Sequence, residues 1–380
     1  MKRLIKAVFC AVATVLVFFA ARSAMDAYIQ KNNPPEVFQA GNYTDYYYST
    51  LNETQKQAYT AVREQVYSFP KSIKVPPLDS ASLDKVLEAL ICDNPYMFMF
   101  NSCSLMSIGS SSYFEPDYLI TKEDYTSLKT EVEAATEKII SAMPETDSYH
   151  KQLYLHDALI NACTYSDTDT ASEADVTGVF INSLAKCSGY AKAYKLLLDS
   201  AGIPCVLISG YAEDYDQNGT NHMWTATQTD GVWSYTDITW DDPVTDSGEE
   251  MCRRVYFCMS DDMLRRTHSQ FDFGNSCPDT GLYFYKAQKS YYNDYNNDTL
   301  ISIAQLIATA ADSSSTQAEF MFADNEKLKK AEKELFTNEK IHTALEKADK
   351  QSTHSIVTEK VRYRVDYDIN LVTIYFETKD

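Results

Sequence analysis

Positive charge is scarce in this sequence. Its 380 residues contain 34 lysines and arginines against 54 aspartates and glutamates, so the formal net charge is −20. No stretch gathers the basic residues into a stripe. A chain this acidic does not grip a phosphate backbone without such a stripe, and an anionic membrane surface repels it. We therefore expect no nucleic-acid partner.

The sequence also lacks the CxxC motif, although it contains nine cysteines. Without CxxC, neither a zinc knuckle nor a thioredoxin-like site is supported, and we expect no metal and no cofactor. In an oxidising compartment, Cys92 with Cys103 and Cys252 with Cys277 are near enough in sequence to consider as disulfides. If one of the eight cysteines after Cys10 stays free for chemistry, seven remain, and an odd number cannot all pair within one chain.

A long hydrophobic run is missing too. The longest apolar stretch, residues 7–21, has 15 residues and follows a start that carries three positive charges. It is shorter than the ~20 residues of a comfortable membrane span but has the order of a secretory signal. We predict a signal peptide over residues 1–23, with cleavage before Ala24, or an uncleaved membrane anchor through residues 7–21. A lipidated Cys10 and a short buried helix are the other readings. The protein is expected outside the cytoplasm, secreted or anchored to the membrane.

No internal repeat appears, and the length suits two or three domains. After a polar tether, helical patterns fill the region up to residue 144, including a capping box at Asn52 and Gln55. We assign residues 24–144 to this tether and helical region, residues 145–290 to a catalytic core, and residues 299–380 to a small C-terminal α+β domain. A polar linker, residues 291–298, separates the last two. The fold class is α+β.

Cys187 lies where the chain enters a helix rich in alanine and leucine, predicted over residues 184–201. A thiol at a helix N-terminus feels the positive end of the helix dipole, which favours the thiolate. Gly189, two residues later, allows close approach of another backbone or a substrate. Alone the signal is weak, because a buried cysteine is usually an inert small hydrophobe.

A predicted hairpin supplies two partners for the thiol. Asp230-Gly231 is a strong signal for a two-residue turn between two strands. With that turn, His222 and Asp237 are diagonal neighbours on one face of the hairpin, within reach of their side chains. A carboxylate beside an imidazole supports its positive form, and the imidazolium stabilises a nearby thiolate. Of the other histidines, His156 is predicted to be structural and to point away from Asp157, and His268 to be a surface or packing residue.

Five segments in the middle of the chain resemble the bacterial transglutaminase-like superfamily in order, spacing and residue type. They are residues 186–191 (KCSGYA), 202–205 (GIPC), 209–211 (SGY), 221–224 (NHMW) and 237–243 (DITWDDP). The resemblance spans roughly residues 150–270. It implies a papain-like core in which the cysteine helix packs on an antiparallel sheet. It also implies that Cys187 is the nucleophile, His222 the general base and acid, and Asp237 the orienting carboxylate.

The resemblance further implies a thioester acyl-enzyme formed on protein or cell-wall peptide amides, which then passes to water or to an amine. Animal transglutaminases use an indole donor upstream of the cysteine, but no tryptophan precedes Trp224 here. Tyr165 is a replacement by position only, and a core tyrosine is an equal reading. Trp224 and Trp240 either line an acyl groove or pack in the core. A calcium-like start at residues 214–219 is interpreted as a polar loop. The alternative to an enzyme is a surface binding or scaffold protein without turnover.

Overall fold

The computed structural model describes most of the chain and has the predicted α+β architecture. The described residues are 45–108, 111–166, 168, 170–213, 219–242 and 252–379. The predicted signal or anchor over residues 1–23, the tether up to residue 44 and most of the calcium-like loop lie outside them.

Twelve α-helices occur in the described residues, and none of them is long and apolar enough to cross a membrane. They are α1 (Tyr46–Thr50), α2 (Glu53–Gln65), α3 (Ser80–Asp93), α4 (Lys122–Ala142), α5 (Ser148–Ile160), α6 (Cys187–Ser200), α7 (Ile238–Asp241), α8 (Asp261–Leu264), α9 (Phe284–Ala287), α10 (Asn297–Asp312), α11 (Asn325–Glu332) and α12 (Lys340–Asp349).

The strands form four sheets, whose spatial orders in the described residues are β1-β3-β2, β4-β5, β8-β7-β6-β9 and β10-β11-β13-β12. The strands are β1 (Ile73–Val75), β2 (Phe100–Ile108), β3 (Ser111–Tyr118), β4 (Thr164–Tyr165), β5 (Leu184–Ala185), β6 (Cys205–Glu213), β7 (Gly219–Thr229), β8 (Val232–Thr236), β9 (His268–Ser269), β10 (Tyr291–Tyr292), β11 (Gln317–Phe322), β12 (Arg362–Asp366) and β13 (Leu371–Tyr375).

The N-terminal region is less helical than the sequence suggested. The capping box is present: the side chains of Asn52 and Gln55 each accept the other residue's backbone N–H at the start of α2. A three-stranded antiparallel sheet occurs in this region, where no strand was predicted: β1 lies between α2 and α3, and β2 and β3 lie between α3 and α4. Phe100 and Phe114 are buried on this sheet with their ring centroids 6.0 Å apart. These strands are stabilised by contacts between segments that are distant in sequence. A search for helical periodicity therefore does not detect them.

The candidate site lies on the central antiparallel sheet β8-β7-β6-β9, against which α6 packs. Ala191 of α6 shares a buried cluster with Leu207 of β6 and Met223 of β7. The opposite face of the sheet, which includes Trp224, has a second apolar cluster. The prediction of a cysteine helix packed on an antiparallel sheet is confirmed.

The C-terminal region contains both helices and strands, and residues from α10 to β13 share their own hydrophobic cluster. One part of the assignment is wrong. Residues 291–298 are not only a linker, because Tyr291 and Tyr292 form β10 and pair in parallel with Met321 and Phe322 of β11. The residues around these tyrosines are polar and gave no strand signal. This edge strand forms by pairing with β11.

Candidate active site

Cys187 is the first residue of α6. The residues just before it form the short strand β5, which pairs in parallel with β4. Because residues 184 and 185 belong to this strand, the helix begins three residues later than predicted. Tyr165 of β4 pairs with Ala185 and is partly buried, which places it beside the segment that leads into the cysteine. The thiol therefore lies at the end of a 14-residue helix whose free N–H groups favour a negative charge.

Gly189 is required by a close backbone approach. A Cβ atom at this position would lie 2.4 Å from the carbonyl oxygen of Glu173 and 2.9 Å from the Cβ of Ala185. The same Glu173 carbonyl accepts the backbone N–H of Lys186 at 2.9 Å. The segment around Glu173 thus packs directly against the first turn of α6.

We predict that Gly189→Ala lowers the free energy of unfolding by about 2 kcal/mol, because a methyl group overpacks this contact. Urea unfolding followed by tryptophan fluorescence measures the loss. Gly274→Ala is the control, since its new Cβ would meet nothing closer than the Tyr46 hydroxyl at 3.4 Å. Equal unfolding midpoints for the two variants would contradict the packing argument.

The hairpin has the predicted register, which brings His222 and Asp237 together. Thr229 pairs with Val232 across the two-residue turn, and the ladder continues to Thr225 opposite Thr236. Asp237 follows directly and caps α7. His222 Nε2 lies 2.8 Å from Asp237 Oδ2. Since Nε2 is engaged, Nδ1 is the ring nitrogen left for the Cys187 thiol.

Asp237 is fully buried, and four N–H groups surround its carboxylate. Oδ1 accepts the backbone N–H groups of Thr239 and Trp240 at 3.1 and 3.4 Å. Oδ2 contacts His222 and also His268, whose Nε2 lies at 3.1 Å. His268 is therefore buried at the site and packs against Trp224 and Trp240, so the prediction of a surface residue is wrong, and that of a packing residue omits the contact with Asp237. No local signal marks it, because the two-residue strand β9 brings it to Asp237 from 31 positions away.

These contacts favour a thiolate–imidazolium pair. Burial raises the pKa of the Cys187 thiol, but the hydrogen bond and charge of His222, with the backbone N–H of Met223, outweigh it and bring this pKa below its ordinary value. Burial lowers the pKa of His222, yet the Asp237 carboxylate and the thiol raise it to about 10. The two histidines hold the pKa of Asp237 well below its usual range despite burial.

A third buried histidine, His156, fixes the other end of α7. His156 Nε2 contacts Asp241 Oδ2 at 3.1 Å, and Asp241 also accepts the backbone N–H of Tyr256 at 3.0 Å. His156 Nδ1 contacts Asp157 Oδ1 at 2.9 Å, and Arg254 binds both oxygens of Asp157. The structural role predicted for His156 fits this network, but its ring does not point away from Asp157. Helix α7, which Asp237 caps at its start, is thus also held by hydrogen bonds at its last residue, Asp241.

An open groove with a volume of about 430 Å³ runs beside Cys187 and His222. Its other lining residues are Ser188, Ser209, Gly210, Asn221, Met223 and Gln270. Trp224 is 1% exposed, and its ring stacks on His222 from the core side, so the expectation that it lines the groove is wrong. Trp240 packs between Tyr256 and His268 and is partly buried. Substrate contact by Trp240 or Tyr165 stays a prediction.

Every cysteine among the described residues is a free thiol, including both pairs considered for disulfides. Cys187 is therefore not tied to another cysteine. Two groups of side chains have metal-ligand spacing: His222 with Asp237 and His268, and His156 with Asp157 and Cys252. In both groups the histidine nitrogens already contact carboxylates. The hydrogen bonds account for these arrangements without a metal.

One family profile matches part of this chain. Residues 135–238 match the sequence profile of the transglutaminase-like superfamily. No curated protein matches the chain. The crystal structure of a TGase aligns at 17% identity, with 45% of this chain, 51% of that chain and a TM-score of 0.27. The periplasmic domain of TgpA from Pseudomonas aeruginosa, bound to ethylmercury, aligns at 18% identity, with 34% and 55% covered and a TM-score of 0.23. This chain thus spans about half the length of that TGase.

Proposed function

We propose that this chain, whose residues 135–238 match the transglutaminase-like superfamily, is a cysteine acyl-transfer enzyme acting on peptide amides. The observation that carries the proposal is the chain of contacts from the Cys187 thiol through His222 to the buried Asp237 carboxylate. A thiol lowered in pKa by an imidazole, which a carboxylate orients in turn, is the arrangement that nucleophilic catalysis requires. Support also comes from the groove that leaves Cys187 open to a ligand.

In this mechanism the Cys187 thiolate attacks the amide carbonyl carbon, and a carbon–sulfur bond forms. The backbone N–H of Cys187, at the start of α6, stabilises the oxyanion. His222 then gives its Nδ1 proton to the leaving amine as the carbon–nitrogen bond breaks. Water or a second amine, deprotonated by His222, attacks the thioester and releases Cys187. Asp237 keeps the imidazole in place throughout, as a carboxylate does in related triads.

Water is the acceptor that we propose. An amine must compete with solvent for the thioester, and competition succeeds only where the site excludes water. The groove beside Cys187 is open to solvent. Hydrolysis by a peptidase or amidase therefore fits better than cross-linking. The charged and apolar residues 2–21 support a location outside the cytoplasm, with cell-surface protein or peptidoglycan peptide as the substrate.

A test of this function incubates the protein with β-casein in the presence and absence of a fluorescent primary amine. Mass spectrometry and an ammonia assay then separate backbone cleavage, glutamine deamidation and amine incorporation. We expect cleavage or deamidation in the wild-type protein and none in Cys187→Ala. Amine incorporation in excess of both would reassign the acceptor. If a fully reactive Cys187 yields no product with casein or with peptidoglycan peptides, the binding or scaffold alternative takes the place of this proposal.

A further inference from the structure

Ser209 lies on the outer edge of strand β6, in the wall of the groove. In an antiparallel ladder, alternate residues turn their N–H and C=O groups to opposite neighbours. The backbone N–H of Gln228 donates to the carbonyl of Pro204 at 3.0 Å. This pair belongs to the same register as Gly210 and His222, so the even-numbered residues of β6 form their backbone hydrogen bonds with β7. Glu213 donates to Thr267 at 2.8 Å, so the odd-numbered residues face β9. Ser209 belongs to this second set.

The edge is covered on both sides of Ser209 but not at it. Tyr211 pairs with Ser269, the last residue of β9, and the chain then turns away at Gln270, whose φ is 55°. On the other side, the Tyr47 hydroxyl donates to the Leu207 carbonyl at 2.7 Å. Ser209 itself is exposed. The hydrogen bonds of the β6–β7 ladder fall on the even-numbered residues of β6, and outside that ladder no hydrogen bond to the backbone N–H or C=O of Ser209 occurs among the described residues.

Folded proteins normally cover or block such edges, because an open edge pairs with any extended chain. Here the gap lies in the wall of the groove that holds Cys187, together with Gly210 and Gln270. Gly210 cannot carry a side chain, because a Cβ there would lie 2.7 Å from both the Ser269 carbonyl oxygen and the Trp224 ring. Apart from the Cys187–His222 pair, the described lining residues carry no charge.

We infer that Ser209 is a main-chain docking point for an extended peptide, which adds to β6 where β9 ends. The inference rests on the proposed function and specifies its substrate class. The Ser209 N–H donates to a peptide carbonyl, and the Ser209 carbonyl accepts a peptide N–H. Recognition through the backbone requires an extended chain but tolerates many side chains. A substrate of this kind is a peptide of several residues, not an isolated amino-acid amide.

The experiment compares two reagents with the same reactive group, acetyl-Ala-Ala-Ala chloromethyl ketone and chloroacetone. Both alkylate Cys187, but only the first has a peptide backbone. The ratio of their rate constants measures peptide docking independently of turnover and of the reactivity of the thiol. We compare this ratio in the wild-type protein, in Ser209→Pro, which removes the N–H, and in Ser209→Ala, which keeps it.

We expect Ser209→Pro to lower the ratio about tenfold, the effect of losing the one hydrogen bond that the N–H donates, and Ser209→Ala to retain most of the ratio. A second series leaves the protein unchanged and replaces each amide N–H of the reagent by an ester oxygen in turn. One position should lose reactivity about fivefold to tenfold. An unchanged ratio in Ser209→Pro, or an ester series without a sensitive position, overturns the inference. A wild-type thiol that titrates at the ordinary value instead contradicts the proposed function, whatever the ratio.

Discussion

Replacing His222 by alanine should slow the alkylation of Cys187 by iodoacetamide at pH 6.5 about 100-fold. The thiolate is the reactive form, and in the wild-type protein His222 brings the thiol pKa below its ordinary value. Without the imidazole, only the backbone N–H of Met223 opposes burial and the Asp237 charge, and the pKa of Cys187 rises to ~8.5 or above, about two pH units above pH 6.5. Peptide mass spectrometry identifies the modified cysteine, and the rate is measured from pH 5 to 10.

The expected profiles have different shapes. In the wild-type protein the rate rises at low pH and changes again as the His222 imidazolium loses its proton, whose pKa is raised to about 10. In His222→Ala the rate rises once, near the pKa of an ordinary or buried thiol. Cys252, which is half-buried and has a raised pKa, is an internal reference within each sample. Identical profiles for Cys187 in the two proteins would show that no ion pair forms.

Replacing His156 by phenylalanine should lower the free energy of unfolding of the protein by about 3–5 kcal/mol. The substitution leaves the Asp241 carboxylate buried without its imidazole partner, and removing one member of a buried pair costs about this much. Urea unfolding is followed by tryptophan fluorescence, because all three tryptophans lie in or beside the central sheet: Trp224, Trp233 and Trp240.

The matched control is His150→Phe in the same helix. His150 contacts Asp147 on the surface, where both side chains are more than half exposed, so we expect a loss below about 1 kcal/mol. The pH dependence gives a second check. Because Asp157 and Asp241 raise the pKa of His156 despite burial, its contribution is complete below ~6.5 and declines as the pH rises through the folded-state pKa. A difference between the two variants that vanishes, or grows with pH, would contradict the ion-pair network.

Local sequence determined the parts of the site that depend on short-range geometry. The Asp230-Gly231 turn has only one register that keeps the side-chain alternation of both strands, and that register places His222 beside Asp237. The position of Cys187 at a helix start follows from the residues around it. Likewise, the sequence pattern predicts strands over residues 317–322, 361–367 and 371–376, and β11, β12 and β13 lie there because each of these segments carries its own pattern.

Tertiary structure alone decided which residues surround that site. His268 reaches Asp237 only because β9 pairs with β6, and His156 reaches Asp241 across 85 positions. Trp224 could as well have faced a groove as the core, until the packing of the second cluster buried it. The sheet before α4 and the strand β10 likewise depend on pairing with other segments. The open edge at Ser209 depends on where β9 ends. Pairing between distant segments leaves no local pattern, since its free energy comes from contacts that form only when the chain has folded.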